Sequence, residues 1–197
     1  MKKVLYIDCC IRRENSRSKQ LADYFLQELR KDEGCEVEEL CLMDEGMQYM
    51  SEGFFLQRDR LLAEKDFSHP RFRYAHQFAA ADKIVIAAPF WDLSFPALLK
   101  VYIENLCVEN LTFGCNAEGM FGLCKADHLV FLTARGSIYT GSHLEQGSRY
   151  MEAMCEFYGI ETYTCIAAEG LDLGIRPVEE IMKEAFAEAD CVAASFK

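Results

Sequence analysis

Three short stretches carry residue types able to grip a flat, phosphorylated ligand. The first is Cys9-Cys10-Ile11-Arg12-Arg13-Glu14-Asn15-Ser16-Arg17-Ser18, which leads into a helical pattern. A helix N-terminus offers unpaired N–H groups and the positive end of the helix dipole. Ser16 and Ser18 add hydroxyls, and the arginines add charge. The plainer role for either serine is to cap its own helix. The second stretch is Ala88-Pro89-Phe90-Trp91-Asp92-Leu93. Phe90 or Trp91 could stack on a planar ring while N–H groups of the turn read its edge; the alternative is that these rings only fill core. The third is Thr133-Ala134-Arg135-Gly136-Ser137. Gly136 permits a turn that other residues resist, so N–H groups can face a ring carbonyl or nitrogen. Arg135 could equally be a surface charge.

These stretches share a position in the chain pattern. Residues 84–88 form a continuous apolar run, which suits a strand buried on both faces, and Pro89 ends it. Strands are expected at 4–8, 37–42, 82–88, 128–134 and 162–168. Helices are expected at 18–31, 71–81, 97–107 and 144–158, the last closed by Gly159. Pro177 opens a final helix with Val178, Ile181, Met182, Ala185 and Ala189 on one stripe. Alternating strands and helices with right-handed crossovers build a doubly wound α/β fold. With no GxGxxG after the first strand, the five-stranded parallel flavodoxin-like order 2-1-3-4-5, helices on both faces, is the better match. Each ligand-capable stretch then follows a neighbouring strand, at the sheet edge where such folds bind ligands.

Composition narrows the function. The chain has 197 residues, of which 51% are hydrophobic, enough for one buried domain over 1–197. Two segments exceed a minimal five-strand domain, 43–70 and the Gly-rich 109–127, and long irregular segments are usually functional or lie at an interface. Net charge is −11, which argues against nucleic acid as a partner. No apolar run reaches the ~20 residues needed to span a bilayer, so no membrane partner is expected. Asp8 and Arg12-Arg13-Glu14 cut the apolar start too short for a signal peptide, which favours a cytoplasmic location. Ten cysteines without a CxxC pair fit reduced, buried thiols. Four histidines without HxH or HExxH spacing offer no dedicated metal site.

Taken together, the motifs resemble those of the FMN-dependent NAD(P)H:quinone oxidoreductases and azoreductases. That family's Ser-x-Ser loop is matched by Ser16-Arg17-Ser18, and its Ala-Pro-Met-Tyr-Asn-Phe loop by Ala88-Pro89-Phe90-Trp91-Asp92-Leu93. Its Ser-Arg-Gly-Gly loop is matched by Ala134-Arg135-Gly136-Ser137, and its Thr-Phe…Glu-Gly segment by Thr112-Phe113 and Glu118-Gly119. The likeness runs from the first strand to the last helix, loosely over 43–70. It implies non-covalently bound FMN, NAD(P)H as donor, and a homodimer with sites near the interface. It also implies ping-pong hydride transfer through flavin N5 to a quinone, azo or nitro acceptor. On this reading Ser16, Arg17 and Ser18 hold the phosphate. Residues Pro89, Phe90, Trp91, Asp92 and Leu93, with Ala134, Arg135, Gly136 and Ser137, hold the ring. No side chain is assigned a catalytic role.

The chain departs from the family pattern at three sites. Cys10 stands where a phosphate-contacting serine is usual, and a thiol is a weak donor; Arg12, Arg13 and Arg17 can compensate. Asp92 replaces asparagine, and Ala134 replaces serine. An electron carrier or sensor using the same loops, and a flavin-free interaction protein, are the alternatives. A phosphorylation receiver fits poorly, because Asp8 precedes cysteines and the fifth strand lacks a terminal lysine.

Overall fold

The computed structural model describes residues 1–196. The core is a parallel sheet of β1 (Lys2–Asp8), β2 (Cys35–Cys41), β3 (Lys83–Ala87), β6 (His128–Ala134) and β7 (Thr162–Ala168), ordered β2-β1-β3-β6-β7. This is the expected 2-1-3-4-5 order, with a hairpin inserted between the third and fourth core strands. All five residues of β3 are buried, as the unbroken apolar run requires of a strand covered on both faces.

Alternating strand residues feed two separate cores. Val4, Tyr6, Val85, Ala87, Val130 and Leu132 face α1 (Arg17–Arg30) and α6 (Val178–Phe196). Leu5, Ile7, Ile84, Ile86, Leu129 and Phe131 face α3 (Arg73–Ala80), α4 (Ala97–Leu106) and α5 (Gly147–Tyr158). The stripe of Ile181, Met182, Ala185 and Ala189 lies in the first of these cores, as its spacing predicts.

Local chemistry sets the helix ends. Ser16 is the N-cap of α1, its Oγ accepting the Lys19 N–H at 3.3 Å, so the helix begins one residue before the expected Ser18. α5 begins at Gly147 rather than at 144, because Glu145 folds back to accept the Ser148 N–H at 2.8 Å.

Both long segments contain structure that the pattern did not predict. Segment 43–70 holds α2 (Glu52–Ala63), capped by Ser51, whose Oγ accepts the Phe54 N–H. Only Leu61 of α2 is buried, against Phe72, Ala75 and Val108. The Arg71 guanidinium anchors the helix, lying 3.8 Å from the Phe54 ring centre and donating to its carbonyl at 2.6 Å. Segment 109–127 holds an antiparallel hairpin of β4 (Phe113–Asn116) and β5 (Gly119–Gly122). A Cβ on Gly122 would sit 1.9 Å from the Tyr158 carbonyl carbon, so only glycine lets β5 lie this close to the end of α5.

Candidate active site

The turns after β1, β3 and β6 converge at the carboxyl edge of the sheet, beside the point where the chain switches direction between β1 and β3. A cleft of about 130 Å³ lies between them. Arg12, Ser16, Arg17 and Ser18 line one side; Pro89, Phe90 and Trp91 come from the second turn, Ala134, Arg135 and Gly136 from the third. Leu171 and Asp172, just past β7, complete the wall. These last two were missed by the sequence reading, which carried no motif after the fifth strand.

The anion end is built around α1. The Ser16 and Ser18 side chains are buried. Ser16 Oγ accepts the Lys19 N–H, and Ser18 Oγ accepts the Ala134 N–H at 3.0 Å. Each oxygen is therefore used as an acceptor, and each hydroxyl hydrogen is left to donate. Ser18 is not the cap; it ties the first turn to the third. The earliest N–H groups of α1 have no intrahelical acceptor and stand at the positive end of the helix.

The three arginines of the loop separate. Arg13 turns away, donating from both terminal nitrogens to Asp44 at 2.9 and 2.6 Å. Arg17 reaches Asp172 through Nη1 alone, at 2.7 Å. Arg12 lines the cleft and makes no ion pair among the described residues.

Cys10 does not line the cleft. Its side chain is fully buried against α1, and burial, with Asp8 next, pushes its thiol up. Cys9 points into the opposite core, where burial raises its pKa to about 12. Adjacent in sequence, the two thiols sit on opposite sides of the sheet, and neither is activated.

The ring end depends on a tight turn. Trp91 and Ser94 exchange backbone hydrogen bonds at 3.1 and 2.8 Å, enclosing Asp92 and Leu93, both with positive φ (48° and 68°). This is the geometry of a two-residue primed turn. Asp92 and Leu93 are exposed and lie outside the cleft lining, so neither places its side chain in the cleft wall. The Phe90 N–H donates to the Ala134 carbonyl at 3.3 Å, joining the second turn to the third. Tyr139, absent from the sequence reading, packs its ring 4.5 Å from that of Phe90.

Arg135 is no surface charge. Its side chain is 2% exposed and bridges Glu145 at 3.1 Å and Glu169 at 2.9 Å. The Glu169 carboxylate also accepts the N–H groups of Tyr139 and Thr140, at 2.9 and 3.0 Å. Burial raises the Glu169 pKa, but the hydrogen bonds from Tyr139, Arg135 and Thr140 outweigh it and hold the carboxyl below its ordinary value. The two terminal nitrogens are thus committed to the scaffold, while Nε is buried without a partner; the guanidinium lies 5.2 Å from the Phe90 ring centre. Ser137 lies outside the lining; its carbonyl accepts the Gly170 N–H at 3.1 Å.

Known proteins share this arrangement. The model of a family described as having the flavodoxin-like fold matches residues 2–191. The FMN-dependent NADH:quinone oxidoreductase 2 of Clostridium acetobutylicum is 39% identical over 202 residues, covering all of both chains. The chain belongs to the FMN-dependent NADH:quinone oxidoreductase and azoreductase family. Another family member, the FMN-dependent NADH:quinone oxidoreductase of Clostridium perfringens, is 37% identical, again over the whole of both chains. Among solved structures, the azoreductase of Bacillus anthracis str. Sterne superposes with a TM-score of 0.89 at 28% identity and full coverage of both chains.

The residues present fit the family's cofactor. Two buried hydroxyls with a hydrogen to spare, the open start of α1 and the unpaired Arg12 suit a phosphate. Backbone-led turns beside the Phe90–Tyr139 pair suit a planar ring. Among the described residues, no group of three metal-ligating side chains forms a metal site, and no helix is long and apolar enough to cross a membrane.

Proposed function

We propose that this chain is an FMN-dependent NADH oxidoreductase that reduces quinones and azo or nitro compounds. The observation that carries this reading is the meeting of three separate turns on one cleft, in a chain whose full-length relatives are named for that activity. Bound FMN supplies the two-electron chemistry, accepting from a nicotinamide and giving to an acceptor. The protein's part is to hold and orient. Ser16, Ser18, Arg17 and Arg12 grip the phosphate, with Cys10 contributing packing rather than a hydrogen bond. The backbone of 89–93 and 134–137 frames the ring. Glu169 fixes Tyr139, and Tyr139 and Phe90 support each other beside it.

We also assign the whole of 1–197 to one functional unit, located in the cytoplasm and acting as a homodimer. Tyr49, Phe55 and Leu56 expose apolar surface around α2, a face that a second copy of the chain would cover. Light scattering on the purified protein tests that assembly.

The decisive experiment on the activity is the visible spectrum of the purified protein. A flavin band that bleaches on anaerobic addition of NADH, and returns with a quinone, supports the oxidoreductase. A band that NADH bleaches too slowly for turnover indicates an electron carrier. Failure to take up added FMN at micromolar concentration defeats the reading.

A further inference from the structure

One acidic side chain stands in the anion end of the cleft, where phosphate binding alone gives it no place. Asp172 lines the same wall as Arg12 and Arg17. Its N–H donates to the Gly136 carbonyl at 2.9 Å, so its backbone is pinned to the third turn. Its carboxylate lies directly over that turn, where a Cβ on Gly136 would come 2.5 Å from Oδ2. Oδ1 accepts from Arg17 Nη1 at 2.7 Å.

The two acid–arginine pairs of this region differ in kind. Asp44 takes both terminal nitrogens of Arg13 in a fork, the arrangement that fixes a guanidinium. Asp172 takes one nitrogen of Arg17 and leaves the others free. The Arg17 and Asp172 side chains are 38% and 69% exposed, so water screens the pair and the bond is weak. An incoming phosphate offers Arg17 a second negative charge and more acceptor atoms, beside hydroxyls and N–H groups that Asp172 does not reach.

We propose that Asp172 is a displaceable internal anion that competes with the phosphate of FMN for Arg17. The inference rests on the FMN reading above. Its consequence is a selectivity dial. Each binding event with a phosphorylated flavin must break the Asp172–Arg17 bond, whereas riboflavin, with no phosphate, leaves it in place. Asp172 therefore weakens FMN binding, leaves riboflavin binding untouched, and keeps the cofactor exchangeable.

The test is fluorescence titration of the flavin-free full-length chain with FMN and, separately, with riboflavin. Asp172→Asn keeps the side-chain shape and the N–H bond to Gly136 while removing the charge. The expected result is FMN affinity raised about threefold, as for release of one partly exposed ion pair, with riboflavin affinity unchanged. In an Arg17→Gln background the same substitution is expected to give little of that gain. FMN affinity that is unchanged or reduced in Asp172→Asn, or a shift shared equally by both flavins, overturns the proposal. So does a full gain that persists without Arg17. Wild-type protein that binds neither flavin brings down the FMN reading itself, and this inference with it.

Discussion

The Arg135 guanidinium donates to Glu169 Oε1 at 2.9 Å, and the same carboxylate holds the N–H groups of Tyr139 and Thr140. One half-buried acid thus couples the end of β7, the turn after β6 and the loop that places Tyr139 against Phe90. Glu145 closes the arrangement from the other side, accepting from Arg135 Nη2 and from the Ser148 N–H. The site's order rests on this triad, whose members come from three separated parts of the chain.

Glu169→Gln is expected to cost ~1–3 kcal/mol of stability, because an amide cannot serve three donors as a carboxylate does. Urea unfolding measures it. The folded carboxyl lies below its ordinary value, so the unfolded chain takes up the proton first as pH falls. The stabilisation is complete above the ordinary carboxylate value and fades as pH drops through the folded one. The difference between wild type and variant therefore shrinks on acidification below about pH 4.5. Arg135→Gln is the harsher change, leaving buried Glu145 and half-buried Glu169 without their cation. It should cost ~3–5 kcal/mol, with partial recovery in Arg135→Gln combined with Glu169→Gln.

Arg12 and Arg13 make a matched pair of opposites. Arg12→Gln should weaken FMN binding several-fold, flatten its salt dependence, and leave riboflavin binding and thermal stability unchanged. Arg13→Gln should leave FMN affinity nearly unaltered, because its guanidinium is locked onto Asp44. Titration of both variants at low and moderate salt gives the comparison. Equal effects from the two would mean that general positive charge, not position, attracts the phosphate.

Much of the site was legible because short-range rules govern it. The apolar run of 84–88 and its closing Pro89 mark a buried strand and the loop after it, and Ser16 announces the start of α1. The strand order followed from the alternation of strands and helices and from the missing GxGxxG after the first strand. What stayed hidden was set by distance. Nothing near Arg135 reveals that it is buried, since its partners lie 10 and 34 residues away. Asp172 and Leu171 carry no local signature. Helix α2 buries only Leu61, so its apolar residues do not form the stripe that betrays a packed helix. Three of the four β5 residues are exposed, and the β4–β5 hairpin is short and Gly-rich, which removes the alternation a strand normally shows.

His128 predicts a pH response far from the cleft. Its ring is buried at the start of β6, with Nε2 2.9 Å from Thr164 Oγ1 and the ring edge-on to Phe196. Burial first, and Lys83 second, push its pKa down against the opposing pull of Asp127. Lys83 is itself paired with Asp127 at 2.7 Å. Because the folded value is lowered, the unfolded chain binds the proton more readily. Stability is full above the ordinary histidine value and falls as pH drops below about 6.5, levelling once the folded ring protonates. Melting temperatures between pH 5 and 7.5 should show this slope in wild type and a flatter line in His128→Gln.

The turn at Asp92-Leu93 sets stability against function. A primed turn suits Asn-Gly or Asp-Gly; aspartate tolerates its place, but leucine at φ 68° carries a Cβ that crowds its own backbone. The Leu93 side chain is 39% exposed, so its burial returns little. Leu93→Gly should therefore raise stability by ~0.5–1 kcal/mol, less than the full ~1–2 kcal/mol strain because glycine gains freedom in the unfolded chain. Leu93 lies outside the cleft lining, so its side chain is expected to meet a part of the occupant that extends beyond the cleft. The same variant is accordingly expected to bind FMN more weakly, and riboflavin more weakly by the same factor, since the turn stands at the ring end. A melting curve and paired flavin titrations decide it. Higher stability with unchanged flavin affinity would reduce Leu93 to an accident of the turn, and lower stability would show that its side chain packs where the geometry gives it no room.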